Sequence, residues 1–118
     1  MRDASDPLDA LTAAPRHHRL LLENARVRML DTRIEPGETV PLHTHRWPAA
    51  CYVLSYGEVV RRDESGNITF DSRGAPTGLG PGQATWLEPL TPHTLENVGN
   101  TPIHIISVEL KPAEGVSP

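Results

Sequence analysis

Gly37-Glu38-Thr39-Val40-Pro41-Leu42-His43-Thr44-His45 is the stretch on which the reading of this chain turns, and His93-Thr94-Leu95-Glu96-Asn97 is its distant counterpart. Residues two apart on a strand share a face, so an extended His43-Thr44-His45 aims two imidazoles into one space and turns Thr44 the other way. A third histidine, His93, arriving from another strand would complete a set of neutral nitrogen ligands on one side of a divalent metal ion. A closed structural site has no vacancy, so a one-sided set points to catalysis or small-molecule binding.

Working outward, apolar runs alternate with breakers. Residues 20–22, 27–34, 41–45, 51–56, 58–62, 68–70, 83–87, 93–97 and 103–110 read as short strands, each ended by proline, glycine, asparagine or aspartate. Asp63-Glu64-Ser65-Gly66-Asn67 has the composition of a hairpin tip, and residues 73–82 that of a loop. Nine short strands without a convincing long helix predict an all-β antiparallel barrel or sandwich. Residues 1–19 read as an N-terminal arm, with Asp6 capping a short helix that starts at Pro7, either mobile or packed on a partner subunit. Residues 20–111 form the barrel and 112–118 a frayed tail.

With 118 residues there is room for one domain. The 12 prolines and 9 glycines leave few windows long enough for a bundle helix. A net charge of −4 provides no general attraction to nucleic acid or anionic membrane, and no apolar stretch is long enough to span a bilayer. Cys51 is the sole cysteine, so no internal disulfide can form, and a reducing, cytoplasmic location is the default.

The spacing of these residues resembles the cupins. Gly37, His43 and His45 match the first half of the first cupin motif, with Gly57 where that motif ends. Gly82, His93 and Asn97 hold the spacing of the second. The resemblance covers residues 20–111 and implies a double-stranded β-helix of jelly-roll type, with a divalent metal held by His43, His45 and His93 in the barrel mouth. It also implies a homodimer. One departure is informative: the glutamate of the first motif falls here on Ala50, beside Ala49, so its carboxylate is missing. Three-histidine cupin sites resemble those of thiol and β-diketone dioxygenases, so the resemblance favours ferrous iron, with zinc, nickel and manganese as alternatives. The implied function is that of an oxidoreductase of the dioxygenase kind acting on a small chelating or anionic substrate. A zinc-type isomerase, lyase or hydrolase and a non-catalytic binding module remain open.

Other residues carry competing readings. Tyr52 and Leu54 share the inward parity of Ala50, making Tyr52 a pocket wall and hydroxyl donor or a core aromatic. Trp47 lines the mouth or fills the core, and Trp86 belongs to the core. Glu88 either replaces the lost carboxylate or is a solvated turn residue. Cys51 is a buried, inert thiol, and His104 either supports a metal ligand from behind or is a structural histidine. His17 and His18, between Arg16 and Arg19, read as a solvated basic cluster. Arg61 and Arg62 straddle two faces, so that one arginine turned inward would suit an anionic substrate; exposure of both is the default.

Overall fold

A computed structural model describes residues 6–74 and 79–113. The first five residues, the middle of the glycine-rich loop and the tail beyond residue 113 lie outside the described residues. Nine strands are formed among the described residues: β1 (His18–Glu23), β2 (Val27–Ile34), β3 (Thr39–His45), β4 (Ala49–Ser55), β5 (Val59–Asp63), β6 (Ile68–Asp71), β7 (Ala84–Leu87), β8 (Leu90–Asn97) and β9 (Ile103–Leu110). They make two antiparallel sheets, ordered β1-β2-β9-β4-β7 and β3-β8-β5-β6. The chain crosses repeatedly between the sheets, which is the wrapping of a double-stranded β-helix.

The inner faces carry the apolar residues that alternation demands. Ile34, Val40, Val59 and Ile103 are fully buried between the sheets, with Tyr56, Phe70, Leu95 and Ile105 packed against them. Asn97 locks one end of this core. Its side-chain amide donates to the carbonyls of Ile34 and Thr101, and its Oδ1 accepts from the Gly99 amide. Its backbone carbonyl accepts from the Gly37 amide at 3.0 Å. Gly37 sits at φ +84°, a conformation that L side chains rarely adopt. The two motif residues therefore close one structural clasp.

The arm is not a free appendage. Asp9, not Asp6, caps the short helix α1 (Ala10–Ala13), and Asp6 accepts instead from the Leu8 amide. The Leu8 carbonyl accepts from the Thr44 amide at 2.7 Å, so the face of β3 that Thr44 presents is covered by the chain's own arm. Arg28, only 2% exposed, reaches across the interior to both Asp9 oxygens at 2.9 and 3.0 Å and to Glu109 Oε1 at 2.6 Å. Two carboxylates satisfying one buried guanidinium fix the arm to β2 and β9.

Tyr52, Leu54 and Trp86 do not face inward. Ala49, Cys51 and Val53 are the buried residues of β4, whereas Ala50, Tyr52 and Leu54 point outward, with Tyr52 48% exposed. Trp86 stands opposite Ala50 on the same outer face and is 51% exposed. The inferred parity was off by one residue, and one residue on a strand reverses the face. Trp47 is buried, but beneath cations: the Arg46 guanidinium lies 3.8 Å from its ring centroid, with Arg28 and Lys111 farther off.

Candidate metal centre

Four imidazoles, one more than the sequence suggests, meet inside the barrel. His43 stands opposite His93 in the β3–β8 ladder, with irregular register on both sides of His43. Pro41 has no N–H to give a ladder, and such irregularities re-aim side chains beside functional sites. Ring centroids of His43 and His93 are 4.3 Å apart, and those of His43 and His45 4.9 Å. His18, the one buried residue of β1, joins them at 5.0 Å from His43 and 5.4 Å from His45. His18, His43 and His45 offer nitrogens that all lie within 4.8 Å of one another. The basic-cluster reading of His18 is thus corrected: it is 4% exposed and faces the other histidines, while His17 is buried beside Glu38.

The outer nitrogens are all engaged. Nδ1 of His18, His43 and His93 lies 3.0, 2.7 and 2.7 Å from the carbonyl oxygens of Ala14, Pro41 and Thr91. His45 Nδ1 lies 3.3 Å from Glu109 Oε2. Carbonyl and carboxylate oxygens accept only, so each Nδ1 carries the proton and each Nε2 keeps its lone pair. Nε2 of His43 and Nε2 of His45 nevertheless approach to 3.2 Å. Two lone pairs cannot hydrogen-bond to each other, whereas two nitrogens about 2.0–2.1 Å from a common tetrahedral metal stand about 3.3 Å apart. The His18, His43 and His45 donors fit a divalent ion, whereas the motif set His43, His45 and His93 does not converge as closely, and His93 stands beside the group against His43. The carbonyl and carboxylate acceptors behind these rings are the outer partners that ligating histidines usually have.

Burial keeps three of these rings, those of His18, His43 and His93, neutral. His43 is lowered to about 2 by burial and then by the neighbouring His45, His93 and His18 charges. His18 is lowered to about 4 by burial and by His45. Burial also takes His93 to about 4, partly opposed by its hydrogen bond to Thr91. Burial pushes the Glu109 carboxyl up, but hydrogen bonds from His45 and Arg28 outweigh it and hold the group below the usual range. An anion, not a neutral acid, therefore backs the His45 ring.

The cavity beside the histidines measures about 160 Å³ and is walled mostly by apolar side chains, among them Val40, Leu79, Leu87 and Phe70. Cys51 lines it, with Sγ 3.5 Å from Ser107 Oγ, and burial pushes the thiol up. Tyr52 is absent from the wall; Tyr56 takes a place there. Glu88 is exposed and accepts from the Trp86 indole, so it does not replace the missing carboxylate. His104 also lies elsewhere, bonded to Asp31 at 2.7 Å. Arg62 points outward to Glu96, while Arg61 faces the cavity, contrary to the default of exposure for both.

No curated protein matches this chain. Among solved structures it is similar to a cupin domain from Bordetella pertussis, with 19% identity, a TM-score of 0.63 and 80% and 92% of the two chains covered. A double-stranded β-helix protein from Klebsiella pneumoniae shares 22% identity at a TM-score of 0.54, covering 84% and 78%. The polyketide cyclase RemF from Streptomyces resistomycificus shares 21% at 0.51, covering 79% and 63%. The model of the cupin domain matches residues 30–109, more than half of the chain. The chain belongs to the cupin-domain family.

Proposed function

We propose that the protein is a metal-dependent cupin enzyme for a small substrate, an oxidoreductase of the dioxygenase kind, working in the cytoplasm. The observation that carries the metal reading is the inward convergence of lone-pair nitrogens, with His43 and His45 Nε2 at 3.2 Å. A bound divalent metal, ferrous iron by preference, would supply Lewis acidity and electrons for oxygen chemistry. His18, His43, His45 and His93 would hold it as neutral ligands, preserving its positive charge for a chelating or anionic oxygen or sulfur group of the substrate. Glu109, being ionised, would accept from His45 Nδ1–H and so orient that ring with Nε2 toward the metal. Apolar walls exclude water and orient the substrate's carbon body.

Oxygen uptake by iron-loaded protein, screened against small thiols and β-diketones, tests the reaction. Stoichiometric iron without oxygen consumption on any of them would overturn it. A zinc-type isomerase, lyase or hydrolase would use the same donors; the fold of RemF, a polyketide cyclase, is the specific reason to keep this second reading. Substrate turnover by the zinc-loaded protein without oxygen decides for it, and binding unaffected by metal removal would favour a non-catalytic module.

The outer face of the five-stranded sheet supports a homodimer. Leu22, Met29, Val108, Ala50 and Trp86 stand side by side across its five strands, with Ile106 and Tyr52 in the next row. Leu22, Tyr52, Leu54 and Trp86 are each at least 41% exposed. A self-complementary apolar strip of this kind suits a two-fold contact between copies.

A further inference from the structure

Arg61 is half-buried at the cavity wall, with Phe70 and Leu95 as its neighbours on the two flanking strands. Acidic residues near it are engaged elsewhere: Glu96 takes Arg62 at 2.9 Å, Asp71 takes Arg73 at 3.0 Å, Glu58 accepts from the Ser72 hydroxyl, and Asp63 accepts from the Ser65 and Asn67 amides. Among the described residues no carboxylate pairs with the Arg61 guanidinium, which lies 5.6 Å from the centroid of the Phe70 ring. A guanidinium half-withdrawn from water without an anion is an incomplete arrangement.

Register places it relative to the histidines. Arg61 stands opposite Leu95 on β8, and its cross-strand neighbour on the other side is Phe70 on β6. Leu95 and His93 are two residues apart on one face, a step of about 6.8 Å along the strand. Arg61, His93 and Tyr56 are members of one cavity wall on different segments. Arg61 and the histidines line one largely apolar cavity of about 160 Å³, comparable to the roughly 150 Å³ engineered cavity that takes up benzene.

We infer that Arg61 is a carboxylate-binding subsite, so that the substrate is a small organic acid with its carboxylate on Arg61, a short apolar body, and a metal-seeking oxygen or sulfur at the histidine end. This rests on reading the cavity as the substrate site of the metal centre. The forked N–H geometry of arginine suits a carboxylate bidentately, and the Tyr56 hydroxyl on the same wall is a further donor.

The test titrates the full chain, once EDTA-treated and once zinc-loaded, with butanoate and with butanamide, which matches its shape without the charge. Butanoate should bind about tenfold or more tighter than butanamide in both forms, as expected for a charge-assisted pair. Arg61→Met should abolish that preference, and Arg61→Lys should retain part of it; Arg61→Gln replaces the Met variant if circular dichroism shows the latter unfolded. A preference that survives Arg61→Met, one that appears only with zinc, or no butanoate binding in either form would overturn the proposal. Zinc content is read separately on each sample: a chain that takes up no zinc defeats the metal reading while leaving the carboxylate preference to be scored in the EDTA-treated form.

Discussion

Ala49 and Glu109 stand directly opposite each other in the β4–β9 ladder, both buried. The carboxylate missing from the first motif is thus present on the neighbouring strand, held behind His45. It reaches the imidazole Nδ1 at 3.3 Å and is tied by Arg28 to Asp9 of the arm. The cupin domain here keeps an acid beside its histidines, moved from ligand distance to the outer shell.

Glu109→Gln should keep the fold and weaken metal binding by about 10–100-fold, the usual cost of losing an outer-shell partner. Competitive zinc titration with a chromophoric chelator reads this directly. Affinity equal to wild type would show that Glu109 serves Arg28 alone.

Asp9→Ala removes one carboxylate from a guanidinium that cannot reach water. Breaking a buried pair by deleting one partner costs about 3–5 kcal/mol. Urea denaturation of the metal-free protein should show that loss, with amide exchange rising first in residues 6–18. A change under about 1 kcal/mol would mean that water replaces Asp9 at the guanidinium.

The metal-free protein should be acid-sensitive with a defined sign. His18 and His93 take protons near pH 4 and His43 near 2 in the fold, against 6.5 for free imidazoles. Below pH 6.5 the unfolded chain therefore binds more protons than the folded one, and stability falls as acidity rises. Each such histidine contributes up to about 1.4 kcal/mol per pH unit between its two values. Thermal melts of EDTA-treated protein should be flat above about pH 7.5 and decline from 6.5 towards 4; a melting temperature that holds or rises over that window contradicts the buried neutral cluster.

Tyr52→Asp combined with Trp86→Glu should turn a dimer into a monomer by light scattering while leaving metal content unchanged, since both side chains stand on the outer face. A monomeric wild-type chain would remove the dimer proposal.

Strand positions were legible because proline and glycine end nearly every element, and the motif histidines because their spacing survives intact. What was not legible has physical causes. His18 sits between His17 and Arg19 on a strand with one buried residue followed by five exposed ones, so no alternation marks it. Glu109 gains its meaning from a pairing with Ala49, sixty residues earlier in the chain. Tyr52 and Leu54 face outward because β4 starts at Ala49, which fixes a parity that counting from the missing glutamate reverses, and Trp86 follows them to the outer face because it pairs with Ala50.

Elemental analysis of the chain as isolated, beside His45→Ala, bears most directly on the convergent imidazoles. The account predicts about one divalent metal per chain in the wild type, with nitrogen-dominated coordination by X-ray absorption, and its loss from a still-folded His45→Ala. A metal-free wild type that takes up no iron or zinc on reconstitution, or a His45→Ala variant with full occupancy, would contradict it.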